Sequence, residues 1–172
     1  MEPIVSAATK VGIAAAVIIL VLFRTREIPR DRLGLVRPPI ALSLLFVAIY
    51  LLWMVASNAA INWRGPWEFA PWLAAPPLAS AMRLLAVCLL GPIAEELIFR
   101  GWFFGLLLDR FGAAIAIVAT ALGWALLHYA YSWPVILVII VDGILLGAAR
   151  WRTRSVFVPI VMHALYNLYA VW

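Results

Sequence analysis

From Ile4 to Phe23 the chain runs with one charge, Lys10, and apolar runs of similar character recur at about 40–57, 78–108, 113–131, 135–149 and 156–172. Runs of about 20 apolar residues match the hydrocarbon thickness of a bilayer when coiled as helices. In lipid every backbone N–H and C=O must be satisfied within the segment, which a helix does and an isolated strand cannot. The expected fold class is therefore all-α, a polytopic membrane helical bundle of about six transmembrane helices. With 67% of 172 residues hydrophobic and 12% charged, no stretch is polar enough for a separate soluble unit. One domain, 1–172, is expected, with the chemistry-bearing core at about 78–172.

The connections carry the charge. "RTREIPRDRLGLVRPP", "DRFG" at Asp109–Gly112 and "RWRTR" at Arg150–Arg154 hold most of the arginines, whereas Lys10, Arg64 and Arg83 fall toward the other ends of the runs. The positive-inside rule places the arginine-rich connections on the cytoplasmic side and both chain ends outside. The formal charge of +5 thus reports topology, and nucleic acid is not an expected partner. Between the second and third runs, Trp63, Trp67 and Trp72 suit an outer membrane–water interface. The first run has no basic leader segment and no small-residue cleavage site, so it is expected to stay as a helix. Cys88 is the single cysteine, which excludes an internal disulfide and any CxxC metal motif.

Against this background a few polar side chains stand out. Glu95, Glu96 and Arg100 lie in the third run, His128 in the fourth, Asp142 in the fifth, and His163 and Asn167 in the sixth. Each ionisable group at the bilayer centre costs about 2.5–3.5 kcal/mol on insertion scales, so each requires a partner or a function. Helical spacing predicts an ion pair between Glu96 and Arg100, four residues apart, which turns Glu95 toward another helix or a cavity. Trp124 with His128, and His163 with Asn167, share helix faces at the same spacing. A carboxylate beside imidazoles, facing a pair of hydrogen-bond donors, resembles a water-activating group opposite an oxyanion site. Taken singly, the Glu96–Arg100 pair is better explained by structure than by catalysis and Asn167 by helix–helix contact, whereas Asp142 is explained equally by pairing with an arginine, by packing or by a role in the site.

The ordered set "EELIFR" (Glu95–Arg100), "WALLH" (Trp124–His128) and "HALYN" (His163–Asn167) resembles the EExxxR, FxxxH and HxxxN motifs of the CPBP family. These are the CAAX-protease and bacteriocin-processing intramembrane proteases, also called the ABI family. Trp124 stands where the family pattern has phenylalanine. The resemblance implies an intramembrane glutamic endopeptidase with no cofactor or metal. In that role Glu95 with His128 would activate water, and His163 with Asn167 would stabilise the oxyanion. Glu96, Arg100 and Trp124 would support them. The implied partners are a membrane-anchored protein or peptide, a C-terminal sorting signal being one such substrate, and the bilayer of a bacterial or archaeal cytoplasmic membrane. A CAAX-type prenyl-protein endopeptidase is the alternative within the family. Outside it stand a zinc-dependent membrane protease built on His128, His163 and a glutamate, although HExxH is absent, and a proton or ion transport or scaffold protein.

Overall fold

The computed structural model describes residues 2–61 and 73–171, and all regular structure among them is helical. Helix α1 spans Glu2–Arg24 and α2 spans Ile40–Ile61. A long bent helix follows, made of α3 (Pro77–Leu84), a π-helical stretch Leu85–Leu90, α4 (Gly91–Glu96), a second π-helical stretch Leu97–Phe103, and α5 (Phe104–Leu126). The bundle closes with α6 (Trp133–Thr153) and α7 (Phe157–Val171). The interfacial segment expected around Trp63, Trp67 and Trp72 lies outside the described residues.

Among the described residues four helical segments are long and apolar enough to cross a membrane, and Phe157–Val171 is a shorter apolar fifth, against the six expected. The difference has a geometric cause. The expected third and fourth helices form one continuous apolar segment, Pro77–Leu126, broken only at Gly112, where φ of 81° and ψ of 175° leave the helical region. A straight helix would separate Glu95 from Trp124 by about 43 Å at 1.5 Å per residue. Instead their side chains are hydrogen-bonded, so the chain doubles back at Gly112. Glycine adopts positive φ without the Cβ penalty that other residues meet there.

The arginine-rich connections do gather at one end of the bundle. Arg32 pairs with Asp109 at 2.9 Å, the Val156 N–H donates to the Gly34 carbonyl, and the Ser155 hydroxyl donates to the Val36 carbonyl. Arg150 departs from expectation. It lies within α6 and is 4% exposed, with Nε donating to the Arg100 carbonyl at 2.9 Å and Nη2 to the Arg32 carbonyl at 2.8 Å. Its role is to tie the first connection to the helix that carries Arg100.

The cores lie between the helices. One cluster joins Tyr50, Phe99, Trp124, Val135, Ile139, Leu146 and Met162, and a smaller one joins Val21, Leu97 and Val156. Gly143 lets α5 and α6 approach closely, since a Cβ there would sit 2.8 Å from the Ala121 Cβ. Outward-facing positions are apolar too: Ile19, Leu44, Leu52, Leu126 and Leu137 are all exposed. Such a surface is stable only in lipid, and the chain is an integral, multi-pass membrane protein.

Candidate active site

Every polar side chain singled out above reaches one region of the bundle, and the bent helix explains how. In the first π-helical stretch the Gly91 N–H bonds to the Ala86 carbonyl, five residues back. The next residue, Pro92, has no N–H, so the Val87 carbonyl is left without a helical donor. Asn167 on α7 fills the vacancy, its Nδ2 donating to Val87 O at 2.8 Å. Wide turns of this kind are rare and cluster at functional sites. Here two of them flank Glu95 and Glu96.

The two glutamates part as the spacing predicts. Glu96 is fully buried, and its Oε1 accepts from Arg100 Nη1 at 2.9 Å and from His163 Nδ1 at 3.0 Å. Arg100, also fully buried, donates through Nη2 to the Gly143 carbonyl at 3.1 Å. Glu95 faces a cavity of about 570 Å³, with a third of its side chain exposed. Its Oε2 accepts a 2.6 Å hydrogen bond from Trp124 Nε1 and lies 4.0 Å from His163 Nε2. That last separation is too long for a hydrogen bond, yet it suits a shared oxygen about 2.8 Å from each group.

Trp124 is the hub of this arrangement. Its ring meets His128 edge-on at 5.2 Å and His163 at 5.0 Å, and the Arg100 guanidinium lies over it at 4.9 Å. From the sequence Trp124 reads as an aromatic support; only the fold reveals that its indole N–H holds Glu95, a bond that phenylalanine could not make. His128 corrects another expectation. α5 ends at Leu126, and His128 sits in the following turn, its N–H bonded to the Ala125 carbonyl. Its Nδ1 meets the Trp124 carbonyl at 3.2 Å, and a carbonyl only accepts, so Nδ1 is the donor in this contact and Nε2 is left for other partners.

Glu95, His128, His163 and Asn167 all line the cavity, together with Asp142. His128 is not hydrogen-bonded to Glu95, and Asn167 has already committed one amide N–H to Val87, although the second remains. Among the described residues no group of three His, Cys, Asp or Glu side chains is placed to hold a metal ion. Asp142 does not pair with an arginine: Oδ1 accepts from Trp53 Nε1 on α2 at 2.8 Å. Neither Trp53 nor Arg150 carries a local sequence signal for these contacts, since their partners lie 89 and 50 residues away.

No curated relative and no solved structure matches the chain. A family model, described as "Type II CAAX prenyl endopeptidase Rce1-like", matches residues 77–169, a stretch that takes in both glutamates, both histidines, Arg100, Trp124 and Asn167. Matched over more than half its length, the chain belongs to the Rce1-like CAAX protease (CPBP) family of intramembrane proteases.

Proposed function

We propose that this protein is a metal-independent glutamic endopeptidase that cleaves a membrane-anchored protein or peptide within the bilayer. The observation that carries the reading is the 4.0 Å gap between Glu95 Oε2 and His163 Nε2 at the wall of the cavity. A water held there is positioned next to a carboxylate that Trp124 keeps in one orientation. Glu95, assisted by the free Nε2 of His128, takes a proton as the water oxygen bonds to the scissile carbonyl carbon. The developing oxyanion is met by Nε2 of His163 in its imidazolium form and by the second Asn167 N–H. As the C–N bond breaks, the proton held by Glu95 passes to the leaving nitrogen. Glu96 and Arg100 orient His163 without contacting substrate.

The apolar lining from Ile13, Val17, Ile98 and Leu127 suits an apolar peptide entering from the lipid. A C-terminal sorting signal is the substrate type favoured here, and the family's description makes a prenylated CAAX peptide the second reading. Purified protein in lipid vesicles should release a new C-terminus from a single-span reporter, detected by mass spectrometry. Glu95→Gln and His128→Ala should fold yet lose cleavage, and strong chelators should leave the rate unchanged. Full activity in Glu95→Gln, or inhibition by chelators reversed by zinc, would overturn the mechanism.

A further inference from the structure

The cavity holds a second carboxylate that the proposed hydrolysis does not use. Asp142 is 2% exposed and lines the cavity with Val135, Val138 and Ile139 on one face of α6. Among the described residues its hydrogen-bond partner is neutral: Trp53 Nε1 donates to Oδ1 at 2.8 Å. The buried cations nearby are committed elsewhere: His163, whose charge acts on Asp142 with no ion pair between them, bonds to Glu96. Arg100 bonds to Glu96 and the Gly143 carbonyl, and Arg150 bonds to the Arg100 and Arg32 carbonyls. Among the described residues no salt bridge includes Asp142.

A buried carboxylate is ordinarily paired, because removing a charge from water is costly unless an opposite charge or several donors replace the solvent. At a cavity wall the missing cation can come from the occupant. We propose that Asp142, braced by Trp53, is a specificity subsite that accepts a basic side chain of the substrate, arginine or lysine, close to the cleaved bond. This rests on the peptidase reading above. A cavity of 570 Å³ is about 10 Å across if roughly round, and an extended peptide advances about 3.4 Å per residue. The basic residue therefore lies within about three residues of the scissile bond. The rest of the occupant is apolar, to match Val138, Ile139 and Ile98.

The test uses the full-length protein in detergent micelles and a fluorogenic peptide library with an apolar flank, varying Arg, Lys, Gln and Leu at the three positions on each side of the cleaved bond. The wild type should cleave its best Arg or Lys peptide at least about tenfold faster, in kcat/KM, than the Gln analogue. Asp142→Asn should remove that preference while cleaving the Gln peptide within about threefold of wild type, and Asp142→Glu should restore part of it. Trp53→Phe, which frees the carboxylate from one donor, should weaken the Arg-over-Gln preference. Equal loss toward all peptides in Asp142→Asn, or a wild type indifferent to the Arg/Gln exchange, overturns the subsite while the peptidase reading stands. Cleavage undiminished in Glu95→Gln overturns the peptidase reading itself.

Discussion

Replacing Trp124 with phenylalanine separates what the ring does from what its N–H does. The indole donates a 2.6 Å bond to Glu95 Oε2, a short charge-assisted contact of a kind that contributes about 1.5–3 kcal/mol. Without it Glu95 regains rotamer freedom, worth up to about 1.5–2 kcal/mol, and its carboxylate no longer stays beside His163. One effect opposes the loss: the indole N–H shares the carboxylate charge, and removing it favours proton abstraction. A net 1–2 kcal/mol of lost positioning corresponds to roughly a 5- to 30-fold fall in kcat, with KM changed by less than about twofold. The smaller ring leaves about 40 Å³ unfilled in a site 4% exposed, a cost of about 1 kcal/mol in stability, so the protein should still fold. Reporter cleavage measured per folded molecule, with folding followed by thermal unfolding in detergent, gives both quantities. A Trp124→Phe protein as fast as wild type would refute the positioning argument, and a faster one would mean that the bond restrains Glu95 as a base.

Other expectations follow from the same contacts. Glu96→Ala leaves the Arg100 guanidinium buried without its carboxylate and should cost about 3–5 kcal/mol by thermal unfolding, whereas Glu95→Gln, partly exposed, should cost less than about 1. Asn167→Ala should destabilise by about 1 kcal/mol, and less in a Pro92→Ala background, where the restored N–H can serve Val87; a double-mutant cycle with no coupling would contradict the proposed origin of that bond. Arg150→Met should lower stability by about 2–4 kcal/mol through its two lost carbonyl contacts, while exposed Arg152→Ala should change it by less than about 0.5. Gly143→Ala forces α5 from α6 at the Ala121 contact and should cost about 1–3 kcal/mol, with activity falling as the Gly143 carbonyl moves from Arg100.

Much of this protein is readable in one dimension because the bilayer imposes local rules. Helix length follows from hydrocarbon thickness, the common end of the arginine-rich connections follows from their charge, and the reversal at Gly112 follows from a short polar turn. The Glu96–Arg100 pair was predictable for the same reason, since four residues on a helix are neighbours whatever surrounds them. The fold alone decided what depends on distant partners. The sequence shows Glu95 and Glu96 as adjacent equals, and it is α5 and α7 that send one to Trp124 and the other to His163. His128 shares a helical spacing with Trp124, yet the helix ends first and turns it into a connection. Asp142, Trp53 and Arg150 gain their meaning from contacts across the bundle, because buried polar groups must be satisfied and the nearest donor in space is rarely the nearest in the chain.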